Sequence, residues 1–208
     1  MRLYLSGDSK HVDTAVRSAH VGPHIPLARS VASGLRRLPS YRGAALLRAN
    51  TTAAERAWYE ENRLTTEWAF CTAYGAPHPG PEDGTDFLIW SMTARRTSLI
   101  DPRDPDRVIF LPGTTFKVLR PALGGKPVLM RELSASEISA DGRVDIQRVP
   151  LDEIALDGLE RAVDLLSASG PPSSTSANDR TQDGMPPEKR FGTPPGLIGK
   201  HSATERPV

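Results

Sequence analysis

Between two amphipathic helical stretches, this chain is written mostly in strand-forming residues, and that ordering most constrains its fold. "GAALLRAN" from Gly43, "WAFCTAY", "DFLIWSMTA", "RVIFLPGTTFKVL" and "KPVLMRELSA" are rich in the β-branched and aromatic residues that suit a pleated, half-buried surface. In the fourth of these, Pro112-Gly113 predicts a hairpin turn. "TAAERAWYEENRLT", between the first two strands, is expected to be helical at its start. Upstream, "IPLARSVASGLRRLP" places Leu27, Val31, Leu35 and Leu38 on one helical face and ends at Pro39. Downstream, "PLDEIALDGLERAVDLLSAS" repeats Ile154, Leu156, Leu159, Val163 and Leu166 near helical spacing, with Asp152 as the expected N-cap. The order predicts an α+β body with mostly antiparallel strands.

The body has clear limits. Of the 42 residues from Ser167 to Val208, 22 are Pro, Gly, Ser or Thr, too few apolar groups to offset the entropy of ordering them. A Pro/Gly/Ser-rich disordered tail over 167–208 is therefore expected, with a short docking motif around "PPGLIGK" left open. Residues 27–166 form the expected domain. Residues 1–26 form an N-terminal segment, whose "MRLYLSG" reads as a strand entered without preamble and suggests the end of a larger domain.

Charge and cysteine content exclude several classes. The net charge of +1 gives no bulk field for nucleic acid or a membrane surface. With Cys71 as the single cysteine, no intramolecular disulfide or cysteine-rich zinc site can form, and the five histidines lack metal-ligand spacing. No apolar run is long enough to span a membrane, and no secretory leader is evident. The default location is cytoplasmic, with export lacking a cleaved leader left open.

Four segments, in order from about Leu38 to Leu119, carry a resemblance. "LRRLPSYRGAALLRAN" has a Leu-Pro, then a Gly, then a strand ending in Arg. "AFCTAY" aligns with a Phe-x-Ser-Thr-Ser pattern. "FLIWSMTARRTSLI" supplies the next strand and turn, and "RVIFLPGTTFKVL" supplies a strand pair around Pro-Gly-Thr. Together they resemble the ADP-ribosyltransferase fold, in the branch with an Arg, Ser-Thr-Ser, Glu-x-Glu pattern. The resemblance implies a split mixed β-sheet core with flanking helices, and NAD+ as substrate without a metal.

The resemblance also implies roles. A guanidinium holds the NAD+ pyrophosphate, and Arg48 is preferred there to Arg42 of "YRG". A hydroxyl braces the ribose, and Thr72 stands at the first serine, followed by Ala73 and Tyr74. A carboxylate stabilises the oxocarbenium-like charge as nicotinamide leaves. The Glu-x-Glu positions fall on Pro105-Asp106-Arg107, so the catalytic carboxylate is replaced by Arg107. Asp106 serves only if the register shifts by one residue, because one step reverses the strand face; Asp104 lies further off. A cation about 4 Å from the developing charge costs about 4 kcal/mol at an effective dielectric of about 20.

Arg95 and Arg96, with Thr93, Thr97 and Ser98 nearby, could hold a phosphate or an acidic loop of a partner. Phe70 and Trp90 lie inside apolar runs and are expected in the core rather than against nicotinamide. Three readings follow. The chain is a degenerate ADP-ribosyltransferase-like domain binding an NAD-like ligand or a protein partner. Alternatively, it is an active mono-ADP-ribosyltransferase or NAD glycohydrolase with a displaced aspartate, acting on a target protein. The third is an unrelated α+β interaction protein.

Overall fold

The computed structural model describes residues 4–5, 9–18, 22–77, 84–138, 150–168 and 194–197. Its helices are α1 (Ser9–Arg17), α2 (His24–Leu35), α3 (Ala53–Trp58) and α4 (Pro150–Ala168). The strands are β1 (Gly43–Ala49), β2 (Leu64–Glu67), β3 (Cys71–Tyr74), β4 (Thr85–Ser91), β5 (Arg95–Arg96), β6 (Arg107–Phe110), β7 (Thr114–Arg120) and β8 (Val128–Glu132). They form one mixed sheet in the order β2-β7-β8-β4-β1-β3-β6-β5, with β4–β8 the parallel pair.

The sheet has a seam. β1 and β4 pair over seven positions, whereas β1 and β3 meet at one, Leu46 opposite Tyr74. This divides five strands from three and corresponds to the expected split core. The expected 107–119 hairpin does not form. β6 pairs with β3 and β5, and β7 with β2 and β8, so the chain crosses from one half to the other at Pro112-Gly113. Gly113 makes the corner with φ +85°, and its N–H donates to the Glu67 carbonyl at 2.7 Å. Phe110 and Phe116 then meet edge-on, with ring centroids 5.2 Å apart. Buried side chains from both halves, among them Leu47, Ala73, Phe87, Val108, Phe116 and Met130, share one core.

The other sheet face carries two separate helical layers. Ala155, Leu156 and Leu159 of α4 pack on Leu46, Leu88 and Leu129. Val31 and Leu35 of α2 and Val12 of α1 pack with Ile109 and Phe70. α4 is anchored electrostatically as well. Asp152 is not an N-cap: it sits in the first turn and accepts from Lys117 Nζ at 2.7 Å and from Arg131 Nε, all three nearly free of solvent. Charges this deeply buried persist only when paired. α3 has a capping box, Thr52 accepting from the Glu55 N–H while Glu55 accepts from the Thr52 N–H.

Two N-terminal expectations change. Tyr4 and Leu5 belong to no strand, and α1 is a helix the apolar pattern did not announce. Most of the expected disordered tail lies outside the described residues, but Pro194–Leu197 rests against the body.

Candidate functional site

Cross-strand register decides which side chains share the strip that the described helices leave uncovered. Leu46 opposes Tyr74, Arg48 opposes Asp86, Tyr74 opposes Arg107 and Thr72 opposes Ile109. Directly opposed residues point to one face, so Arg48, Asp86, Thr72, Tyr74 and Arg107 line the same face near the seam. The preferred arginine, the hydroxyl residue and the residue at the carboxylate position are therefore brought together.

Their chemistry is mostly satisfied internally. The Arg48 guanidinium grips Asp86 with two parallel bonds, Nε to Oδ1 and Nη2 to Oδ2, the second 2.8 Å long. The Asp86 carboxylate, chiefly by hydrogen bonding, pushes the Arg48 pKa further up. Both side chains remain 29% exposed, so a ligand can reach them. Thr72 is half-buried on the same face.

Arg107 is buried, and its positive charge is neutralised. Nη2 lies 2.5 Å from Asp101 Oδ2, Nε lies 3.6 Å from Asp104 Oδ2, and Nε donates to Thr97 Oγ1 at 3.3 Å. Tyr74 donates its hydroxyl to the same Asp104 Oδ2 at 3.4 Å. The turn 101–107 is pinned locally, Asp104 N donating to the Asp101 carbonyl and Arg107 N to the Asp104 carbonyl. Pairing with Asp101 offsets much of the repulsion expected from a bare cation. It leaves no carboxylate at the position itself.

The displaced-aspartate candidates separate. The β3–β6 register runs unbroken from Cys71–Phe110 to Tyr74–Arg107, with no bulge to bring Asp106 onto the strip. Asp106 is exposed, its carbonyl accepts from Gly75 N–H at 2.8 Å, and its charge is felt by Tyr41 of the opposite core. Asp104 is the carboxylate that reaches the strip. Arg42 is exposed one residue before β1, six residues and about 20 Å of extended chain from Arg48. The paired arginines are engaged too: Arg95 donates to the Leu38 carbonyl at 3.0 Å, and Arg96 stacks 4.6 Å from the Tyr41 ring centroid. Phe70 packs on Tyr4, and Trp90 lies under α4, so neither lines the strip.

Among the described residues, no group of three His, Cys, Asp or Glu is placed to hold a metal ion. Cys71 is a buried free thiol whose pKa burial pushes up, a core residue rather than a nucleophile. Asp86 and Asp101 are the residues that sequence reasoning missed, and Thr97, noted there only beside the arginine pair, is buried and bonds Arg107 instead. An aspartate heading an apolar strand, as in "TDFLIW", is the one signal that could have drawn notice.

No family model matches the sequence, and no curated protein matches it. Solved structures do. The type III effector XopAI from Xanthomonas axonopodis pv. citri superposes with a TM-score of 0.51 at 22% identity, over 62% of this chain and 59% of that one. The ADP-ribosyltransferase Vis from Vibrio splendidus, solved with the M6 inhibitor, gives 0.53 at 17% identity over 64% and 70%. This chain has the ADP-ribosyltransferase fold. Exoenzyme S from Pseudomonas aeruginosa, solved with human 14-3-3 protein beta and carba-NAD, gives 0.50 at 12% identity over 73% and 78%. The chain spans about three fifths of XopAI. The likeness lies in the fold, whose seam in this chain is lined by Arg48, Thr72 and Arg107. No helix among the described residues is long and apolar enough to cross a membrane.

Proposed function

We propose that this is an ADP-ribosyltransferase-like domain without transferase chemistry, kept as a binding module for an NAD-like ligand or a protein. One observation carries the reading: the resemblance asks for a carboxylate at Arg107, and that position holds a buried guanidinium tied to Asp101 and Asp104. Cleavage of the nicotinamide bond needs a fixed negative group where positive charge develops. Here the nearby carboxylates are already held by Arg107. Loss of a stabilising term of about 4 kcal/mol corresponds to about three orders of magnitude in rate.

The rest of the strip supports binding. Arg48 offers the bidentate fork that suits a pyrophosphate, and Thr72 offers a hydroxyl on the same face. The fit is conditional, since a phosphate must compete with Asp86 for the same guanidinium. The Exoenzyme S structure with carba-NAD makes an NAD-like ligand the first to test.

The second reading, an active transferase or NAD glycohydrolase, rests on Asp104 facing the Tyr74 hydroxyl on the strip. Nicotinamide release from labelled NAD+ separates the two. The expected result is no release from the wild-type chain. Release that Asp104→Ala abolishes, while Asp106→Ala leaves it intact, would establish the enzyme. NAD+ titration then tests the binding assignment: Arg48→Ala should weaken affinity far more than Arg42→Ala, and equal effects would remove it.

A further inference from the structure

Pro194–Leu197 forms a compact turn beside β2, the end strand of the sheet among the described residues. Leu197 N–H donates to the Pro194 carbonyl at 3.4 Å, with Pro195 and Gly196 at the two central positions. Pro-Gly is the pair a type II turn asks for, and Gly196 has the positive φ, +73°, that its third residue requires. The sequence thus favours the bound shape by itself.

The body reads both ends of the turn's central peptide unit. The Pro195 carbonyl accepts from Tyr59 Oη at 2.8 Å and from Thr65 Oγ1 at 3.3 Å. The Gly196 N–H donates to Glu67 Oε2 at 3.2 Å. With the turn in place these three side chains are 0%, 5% and 1% exposed, so the docked bonds are shielded from water. Burial raises the Tyr59 phenol pKa, which keeps it a neutral donor. Glu67 is oriented from its other oxygen, which accepts from Ala69 N–H at 2.7 Å and Arg17 Nε at 2.9 Å. Leu197 packs against the core that contains Tyr59. The contact also selects its residue. A Cβ on Gly196 would fall 1.5 Å from Thr65 Oγ1 at a φ of +73°, so any side chain there is strained and must displace Thr65.

We infer that Tyr59, Thr65 and Glu67 form a peptide-recognition pocket for a Pro-Pro-Gly-Leu turn, filled in cis by residues 194–197 of the same chain. The pocket takes both ends of one peptide bond, a glycine with positive φ and a following leucine. Such a site reads a sequence rather than a greasy surface. Pro194 follows Ala168 by 25 intervening residues, and a tether of that length gives a local concentration in the millimolar range. The tail therefore holds the pocket against micromolar competitors of the same sequence.

The test uses the full chain and a fluorescent peptide of residues 190–201, followed by anisotropy. In the Gly196→Val chain the tail cannot dock, so the peptide should bind at least tenfold more tightly than to the wild-type chain. A peptide carrying the same Gly→Val change should bind neither. Absence of peptide binding to a Gly196→Val chain whose near-UV circular dichroism is native would overturn the inference, as would equal binding of both peptides. A dimer of the wild-type chain that disappears in Gly196→Val would overturn the cis assignment. Hydrogen exchange at Gly196 gives a check on the wild-type chain alone: at least tenfold slower exchange than in the free peptide is expected, and equal rates would sink the pocket.

Discussion

Tyr74 and Arg107 stand directly opposite each other on β3 and β6, and both side chains reach the carboxylate of Asp104. That triangle closes one end of the strip and replaces an open carboxylate with a satisfied ion cluster. Because Arg107 is buried, its removal takes the main cation from Asp101, which then has Arg103 at 3.5 Å, and from Asp104, which keeps the Tyr74 hydroxyl. Arg107→Met should lower unfolding free energy by about 3 kcal/mol in urea titrations, in the range for breaking a buried pair. Arg107→Glu should be at least as damaging, because three carboxylates would then crowd one turn. A neutral outcome for Arg107→Met would mean that the cluster is not what holds this turn.

Arg48 and Asp86 make the strip's other closed contact. A ligand phosphate must take the guanidinium from Asp86, so the aspartate acts as a resident competitor. Asp86→Asn keeps the size and removes the charge. It should raise NAD+ affinity by about three- to tenfold, the equivalent of about 1 kcal/mol for a partly exposed pair. Calorimetric titration of both forms checks this. Unchanged or weaker binding in Asp86→Asn would show that the ligand does not meet Arg48.

Much of the fold is legible in the sequence, because the strongest signals are local. β4, β6, β7 and β8 are dense apolar runs, and α2 and α4 carry helical periodicity over three turns or more. What failed was non-local. "RVIFLPGTTFKVL" has hairpin chemistry, yet its strands pair elsewhere because the two sheet halves must pack on one core; turn residues fix the corner, not the partner. α1 escaped notice because Val12 and Ala15 are its only buried apolar residues. In the site, the Arg48 and Thr72 positions follow from strand order. The partner of Arg48, Asp86, depends on cross-strand register, which no single strand encodes, and the partner of Arg107, Asp101, depends on how the 101–107 turn folds back.

Asp13 supplies a pH dependence. It accepts from the Tyr4 hydroxyl at 3.1 Å, and burial pushes its pKa up to about 7, despite the opposing influence of Tyr4 and Arg17. A carboxyl whose folded pKa is raised binds its proton more tightly when folded. The resulting stability is complete below about pH 4 and is lost as pH rises through about 7. Between pH 5 and 8 the wild-type chain should lose about 1–3 kcal/mol more than Asp13→Asn, whose amide keeps an acceptor for Tyr4. Urea titrations of both chains at the two pH values measure the difference. Parallel pH profiles would show that Asp13 ionises freely.

Gly158 lies in the middle of α4, where glycine costs about 1 kcal/mol relative to alanine, so helix propensity alone favours Gly158→Ala. Packing opposes it. A Cβ at this position would lie 2.1 Å from Trp90 Cζ3 and 2.5 Å from Cη2, a distance that requires the indole or the helix to move. The indole packs against the α4 core cluster, and the helix is pinned through Asp152 to Lys117 and Arg131, so neither moves freely. Overpacking of this kind costs about 1–3 kcal/mol, which matches or exceeds the propensity gain. Gly158→Ala should therefore destabilise by up to about 2 kcal/mol, the packing cost less the propensity gain. Trp90→Leu should lose buried area by itself, yet in the double variant it makes room for the new methyl. The double variant should then be more stable than the sum of the single losses implies, by about 1 kcal/mol in a double-mutant cycle. Additive losses would mean that the helix shifts to accommodate the methyl and that Trp90 does not set its position.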